Sequence, residues 1–248
     1  MTVPKPLRRT IRQFADGEYS EGGRWEYILH PRFAEAPAQY IRAFLLLQED
    51  LQRLFQYVEP ADANLQTFSF RIHELLLRTC VEVEANCKAV LTENGYSRAG
   101  NWDMNDYKKI EDSHFVSAYE VMYPTWQGTT NVRRPFAPWS AGGSLPWYSA
   151  YNATKHDRHT EFHQAAFHHL TDAIAGMVVL LSSQFMTHDF APTDWSLSVG
   201  GPNDGMESAI GGYFRVRFPD SWPTDKRYDF DWQQLKADPD PFSEFQYL

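Results

Sequence analysis

One apolar stripe restricts the possible folds of this chain more than any other feature of its sequence. Apolar side chains recur every three or four positions at Phe162, Ala166, Leu170, Ile174, Met177, Leu181 and Phe185. This spacing places them on one face of an α-helix. No Pro or Gly lies between Trp147 and Ala175. The sequence therefore predicts either one unbroken helix over 147–186 or two helices with a kink near Asp157 or Thr160.

Three more segments have helical character. The first runs over residues 37–57, and the second over about 64–93, with Phe68 counted among the apolar positions of its stripe. A shorter helix is predicted over about 103–117. Together these segments predict a mainly α fold, an antiparallel helical bundle that occupies residues 38–186.

The regions outside these helices are predicted to be irregular. Residues 1–37 contain scattered Pro and Gly, which is typical of an irregular N-terminal arm. The stretch 124–146 is a long Pro/Gly-rich loop, and structureless loops of this length are usually functional or mobile. Residues 187–248 form a C-terminal extension rich in aromatic residues. It is acidic, with 11 acids against 5 Lys and Arg between Asp189 and Glu244.

Two alternating runs lie in this C-terminal extension. Tyr213–Phe218 alternates apolar residues with two arginines, and Tyr228–Trp232 alternates aromatic residues with two aspartates. A period of two is typical of half-buried strands. We therefore expect a small β-hairpin appendage in which the arginines lie across from the aspartates.

Composition limits the class of protein. A hydrophobic content of 43% and a charged content of 22% are ordinary for a globular domain with a substantial core. The net charge of −9 argues against a general nucleic-acid coat protein, which needs an excess of cations to displace counterions. A local basic cleft remains compatible with this charge.

Cysteine spacing and hydropathy indicate the compartment. Cys80 and Cys87 are seven positions apart on a predicted helix, so they lie roughly 10 Å apart, too far for a disulfide. We expect two buried thiols. The N-terminal residues lack the apolar stretch of a signal peptide, and the apolar run 173–186 is too short to span a bilayer. The sequence therefore predicts a cytoplasmic protein without a membrane partner.

The segment that carries chemistry is Lys155–Gln164, KHDRHTEFHQ, which holds three of the nine histidines. It has three interpretations. The first is a solvated helix face, since charged residues before an apolar stripe are commonly exposed. The second is a metal site made by His156, His159 and His163, which lie along one face at helical spacing, with His73-Glu74 supplying further ligands. The Glu-x-x-His pattern of bundle di-iron proteins is absent from both long helices.

The third interpretation is phosphate chemistry by Arg158 and His163. Cleavage of RNA without a metal requires a group that moves the 2′-hydroxyl proton and a cation that holds the phosphate as charge develops. Histidine suits proton transfer near neutral pH. Arginine suits phosphate because its planar guanidinium matches the phosphate oxygens and stays charged.

The residues Arg158-His159-Thr160-Glu161-Phe162-His163 resemble a known motif. They match the R-φ-x-x-x-H signature of HEPN-domain ribonucleases, in which φ is Asn, Asp or His. The resemblance covers the motif and the helical architecture around it. It implies a dimeric, metal-independent endoribonuclease that cuts single-stranded RNA, needs no cofactor, and serves as a toxin or phage-defence effector. It also implies catalytic roles for Arg158 and His163, with His159 as the supporting polar residue.

Neighbouring residues complete the predicted site. Asn152, Lys155 and His156 lie one turn earlier and would contact the substrate. Arg133 and Arg134 could contact phosphates, and three tryptophans could stack on unpaired bases: Trp126, Trp139 and Trp147. For all of these, a purely structural role is the alternative.

Two further alternatives stay open. On a straight helix Arg158 and His163 lie about 140° apart, so they meet only through a kink, a long reach or a cleft at the helix edge. Otherwise Arg158 makes a structural salt bridge to Asp157 or Glu161. The chain would then be a non-catalytic α-helical binding protein or a subunit of a larger assembly. Aromatic residues of the extension would dock its partner: Trp222, Phe230, Trp232, Phe242, Phe245 and Tyr247.

Overall fold

A computed structural model describes residues 2–190 and 204–247. The fold is mainly α, as predicted, with about 49% of these residues helical. The α-helices are α1 (Pro37–Leu54), α2 (Phe70–Glu93), α3 (Met104–Tyr107), α4 (Ile110–His114), α5 (Pro146–His156), α6 (Arg158–Glu161), α7 (Phe167–Phe185) and α8 (Trp232–Leu235). The strands are β1 (Glu120–Met122), β2 (Val132–Arg133), β3 (Glu207–Ser208) and β4 (Arg215–Arg217).

Helix α7 lies at the centre of the fold. It packs against α2 and α5, and α1 packs against α2. Nearly every side chain of α7 is buried, including the predicted stripe from Leu170 to Phe185. A helix that is buried on all sides must be covered by several elements, which here include β1 and β4. None of the described helices is long and apolar enough to cross a membrane.

The region predicted as one long helix is broken, which agrees with the kinked alternative. Asp157 has φ −136° and ψ 69°, which ends α5. Its carboxylate accepts a hydrogen bond from the Thr160 amide at 3.2 Å and so caps α6. After α6 the chain forms a 3-10 turn over Phe162–Gln164, and α7 begins at Phe167.

Helix α2 begins six residues later than predicted. Ser69 caps it, with its hydroxyl accepting a hydrogen bond from the Ile72 amide at 3.2 Å. The residues before Ser69 bind the start of α7 instead, because the Phe167 amide donates to the Thr67 carbonyl at 2.8 Å. Phe68 therefore lies outside the helix and is 48% exposed, contrary to its predicted place in the buried stripe.

The hairpin prediction was wrong about the partner strand. The run Tyr213–Phe218 does contain a strand, β4, but β4 pairs with β1 and β3 in an antiparallel sheet of order β2-β1-β4-β3. Tyr228 instead forms bridges to Val3 and Phe14, and Trp232 begins α8. On the apolar face of β4, Val216 is buried and pairs with Val121 of β1, which is also buried. The alternation of apolar and polar residues predicted a half-buried strand, but it could not predict which strand pairs with it.

The predicted loop 124–146 contains regular structure. It holds β2 and a 3-10 turn over Ala137–Ala141, and both Phe136 and Trp139 are buried. The N-terminal segment contains a 3-10 stretch over Glu21–Leu29. Its side chains nevertheless belong to the same hydrophobic core as those of the helices and the C-terminal extension. Both cysteines are buried free thiols, as predicted.

A buried histidine gives the fold a defined sensitivity to acid. His114 is fully buried, with Nε2 2.8 Å from the Arg9 carbonyl oxygen and Nδ1 2.7 Å from the Ser113 hydroxyl. Burial lowers its pKa to about 3, and the charges of Arg12 and Arg9 act in the same direction. The unfolded chain, with an ordinary histidine pKa of 6.5, therefore binds more protons between these values.

We expect the free energy of unfolding to fall as the pH drops from 6.5 towards 4. Over this range the one residue would account for at most about 3.5 kcal/mol, because each pKa unit corresponds to about 1.4 kcal/mol. His114→Gln should flatten this slope, and His156→Gln, at an exposed position, should not. Urea unfolding at a series of pH values measures both slopes. Equal slopes for His114→Gln and the wild type would contradict the assignment.

Candidate functional site

The motif segment is an exposed corner between α5 and α7. Arg158, His159 and His163 are all exposed. Arg158 and His159 lie on α6, and His163 lies on the 3-10 turn that follows. The separation of about 140° expected on a straight helix therefore does not apply to Arg158 and His163, because α6 ends at Glu161, before His163.

Phe162 anchors this corner to the start of α2. Its ring lies 5.5 Å from the Phe68 ring, 4.7 Å from the Phe70 ring and 5.8 Å from the His73 ring, measured between centroids. The Phe68–Phe162 contact is edge-to-face, a favoured arrangement of aromatic rings. The apolar position of the motif therefore holds the segment, and its polar positions face solvent.

Arg158 is free to bind a ligand. Its guanidinium carbon lies 5.4 Å from the centroid of the Phe70 ring. Within residues 2–190 and 204–247, Arg158 makes no hydrogen bond and no ion pair. The two acids that could pair with it are otherwise engaged: Asp157 caps α6, and Glu161 accepts a hydrogen bond from Gln164. The predicted alternative of a structural salt bridge is therefore wrong for the described residues.

The predicted substrate-binding residues surround this corner. Lys155 and His156 are exposed at the end of α5, and Asn152 is half-buried one turn earlier. The Lys155 ammonium donates to the Tyr151 hydroxyl at 3.1 Å, and this hydrogen bond raises the pKa of Lys155. Lys155 is therefore a fixed positive charge beside the motif.

His73, which the metal interpretation made a further ligand, lies behind the motif against the Phe162 ring. Its side chain is 7% exposed, and its Nε2 atom has no hydrogen-bond partner. Burial lowers the pKa of His73, and the charge of Arg158 contributes in the same direction. His73 is therefore a neutral support for the Phe162 ring. The charged residues near His73 on α2 are engaged in ion pairs of their own: Glu74 pairs with Arg71, and Arg78 pairs with Asp50.

Most of the other residues predicted to contact RNA are buried or contact other parts of the protein. Trp126, Trp139 and Trp147 are at most 7% exposed, so they cannot stack on bases. Arg133 lies over the Trp126 ring at 4.7 Å, close to Asp172, and Arg134 lies near Glu120. Arg133, whose side chain is 11% exposed, therefore has a structural role, whereas the Arg134 side chain is 56% exposed. Of the six aromatic residues of the extension that were predicted to dock a partner, Trp222, Trp232 and Phe242 are buried and cannot do so, whereas Phe230, Phe245 and Tyr247 are half-buried.

The metal interpretation lacks a ligand set. In the part of the chain that the structure describes, no group of three or more His, Cys, Asp or Glu side chains is placed to hold a metal ion. The motif histidines and His73-Glu74 therefore do not converge on one point. The separate positions of His156, His159 and His163 on α5, α6 and the 3-10 turn explain this, because the break at Asp157 disrupts the continuous helical face.

Comparisons with known proteins do not identify a family for this chain. No protein-family model, curated protein or solved structure matches this chain. The HEPN resemblance therefore depends on the motif Arg158–His163 and its helical setting, and membership of that family stays a prediction.

Proposed function

We propose that this protein is a metal-independent endoribonuclease of the HEPN type that cuts single-stranded RNA. The observation that carries the proposal is the state of Arg158, which is exposed, positively charged and without any ion pair in the described structure, five residues from the exposed His163. Phosphate cleavage without a metal requires at least one cation that is free to bind the phosphate and one group that can move a proton, and Arg158 and His163 supply these two types of side chain on the same exposed segment.

In the proposed reaction, His163 accepts the proton of the ribose 2′-hydroxyl. The 2′-oxygen then attacks the adjacent phosphorus, and the bond from phosphorus to the 5′-oxygen breaks. The departing 5′-oxygen takes a proton from a water molecule, and the hydroxide left behind is neutralised by the proton that His163 holds, which regenerates the base. The products are a 2′,3′-cyclic phosphate and a free 5′-hydroxyl. Arg158 stabilises the charge that develops on the phosphate oxygens, and His159 supports the site from the same helix.

The proposal has further parts that follow from the resemblance. Asn152, Lys155 and His156 contact the RNA, and the active form is a homodimer in which two motifs share a cleft. Residues 38–186 form an antiparallel bundle whose long helices are α1, α2, α5 and α7, which is supported by the packing of these helices. A toxin or phage-defence role, with a protein antitoxin as partner, belongs to the same proposal.

The test is cleavage of a mixed-sequence single-stranded RNA in EDTA. We expect the wild-type protein to cut it and to leave 2′,3′-cyclic phosphate ends, while the same sequence with 2′-O-methyl groups stays intact. Arg158→Ala and His163→Ala should cut it at least about 100-fold more slowly while keeping the wild-type circular dichroism spectrum. Light scattering on the same samples gives the oligomeric state, against a chain mass of 28.8 kDa. If nothing is cut, even with divalent metals restored, the ribonuclease proposal fails.

A second candidate is a non-catalytic helical binding protein. It is supported by an apolar groove of about 310 Å³ between α1 and α2. Leu46 and Val81, which line this groove, are 50% and 52% exposed. Exposed apolar surface of this kind is typical of a contact with another protein. The absence of any RNA cleavage would favour this candidate.

A further inference from the structure

Exposed aromatic rings lie beside the motif. Phe68 is 48% exposed and Phe70 is 64% exposed, and both contact the Phe162 ring. Among the described residues, the other large aromatic side chain that is strongly exposed is Tyr57, which contacts neither Phe162 nor Arg158. Two of these three rings are therefore concentrated at one place on the surface.

The backbone holds these rings in fixed positions. Phe68 forms an antiparallel bridge with Ala166, and the flanking hydrogen bond from the His168 amide to the Leu65 carbonyl is 3.0 Å long. Ser69 caps α2, so Phe70 is the first residue of that helix. Rings on a rigid backbone lose little entropy when a ligand binds, which favours their use in binding.

The charges around these rings favour an anionic ligand. Arg158 lies over Phe70, and no acid neutralises it. Glu74, the acid closest in sequence to Phe70, is paired with Arg71 at 2.9 Å. Glu161 and Asp157 are occupied within the motif segment by Gln164 and Thr160. An aromatic surface next to an unneutralised arginine is the combination that single-stranded nucleic acid requires, a ring for the base and a cation for the phosphate.

We propose that Phe68 and Phe70 form the base-stacking surface of the RNA site. This inference rests on the proposed ribonuclease function and identifies the residues that bind its substrate. An unpaired base stacks on the exposed rings, and Arg158, held at the edge of the same surface, contacts the phosphate of that nucleotide. Stacking tolerates every base, so this surface provides affinity without strict sequence preference. Phe162 packs against both rings, and the buried His73 in turn packs against Phe162.

The experiment measures binding without cleavage. A fluorescent 2′-O-methyl oligonucleotide is titrated with the wild-type protein and with Phe68→Leu, Phe70→Leu and the double variant, and anisotropy is recorded. Leucine keeps apolar bulk and removes the ring. Base stacking contributes about 1–3 kcal/mol per base, so each variant should bind roughly 5- to 140-fold more weakly. Tyr57→Leu is the matched control, because it removes an exposed ring away from Arg158, and its affinity should equal that of the wild type.

A second oligonucleotide separates stacking from charge. It has the same backbone with abasic positions throughout, so it offers phosphates without bases. The Phe68 and Phe70 variants should bind it as well as the wild type does, whereas Arg158→Ala should bind both oligonucleotides more weakly. Thermal unfolding of each variant checks that the fold is intact.

The outcomes distinguish this inference from the proposed function. If the wild type cuts RNA but Phe68→Leu and Phe70→Leu bind and cut like it, the stacking inference is overturned and the ribonuclease stands. If the rings are needed for binding but nothing is cut, the stacking surface stands and the ribonuclease proposal fails. If Phe68→Leu and Phe70→Leu lose as much affinity for the abasic oligonucleotide as for the one with bases, the rings do not stack on bases. A contact with a protein partner would then better explain their exposure.

Discussion

Arg9→Ala should lower the free energy of unfolding by about 3–5 kcal/mol, the cost typical of breaking a buried ion pair. The Arg9 side chain is fully buried, and its Nε atom lies 2.5 Å from a carboxylate oxygen of Glu93. One Nη atom donates to the Gln184 side chain at 3.0 Å, and the other donates to the Glu35 carbonyl at 2.5 Å. The substitution leaves the Gln184 acceptor unsatisfied in the interior, where an unpaired polar group is costly, and removes the ion-pair partner of the half-buried Glu93.

Packing adds to this loss. The Arg9 guanidinium lies 4.5 Å from the Tyr40 ring centroid and 5.6 Å from that of Phe185. Arg9 thereby ties the N-terminal segment to α1, α2 and α7 together. Removing it eliminates these contacts and opens a cavity at the junction.

Arg8→Ala is the matched control for this prediction. Arg8 precedes Arg9 in the chain, but it is partly exposed and its ion pair with Asp240 is 3.9 Å long. Such a pair contributes about 1 kcal/mol or less. Guanidinium unfolding followed by circular dichroism gives both values. Similar free energies for the two variants would show that Arg9 does not anchor the segment.

The burial of Arg9 also shows what local sequence patterns cannot predict. The scattered Pro and Gly of residues 1–37 predict an irregular arm and give no sign that its side chains belong to the core. Its partners Glu93 and Gln184 lie 84 and 175 positions away. By contrast, the stripe of α7 was predictable because the spacing of apolar residues within one helix reports its buried face directly.

The candidate site shows the same division. Arg158 and His163 could be identified from the motif, because their spacing is local. Phe68 and Phe70 could not, because the predicted start of α2 placed Phe68 on a buried stripe. The actual start is set by Ser69 and by pairing of Phe68 with Ala166, a contact across 98 positions that no local pattern contains. The three tryptophans were predicted to stack on bases from residue type alone, and their burial excludes this role.

The prediction with the largest functional effect concerns the rates of cleavage by variants of the two motif residues. His163→Ala should lower kcat by about 10²–10⁴-fold with a smaller change in KM, because proton transfer contributes to the transition state more than to binding. Arg158→Lys should retain more activity than Arg158→Ala but less than the wild type, since lysine keeps the charge and loses the planar fork that matches two phosphate oxygens.

Arg42→Ala is the control for a general effect of charge. Arg42 is exposed on α1, so its removal changes the net charge as much as Arg158→Ala does without touching the motif. Single-turnover kinetics in EDTA separate binding from chemistry for each variant. If Arg42→Ala and Arg158→Ala slow cleavage equally, Arg158 acts only through the overall field of the protein. If His163→Ala raises KM and leaves kcat unchanged, His163 binds the RNA and another group moves the proton, for which His159, on the adjacent helix α6, is the nearest histidine in the chain with an exposed ring.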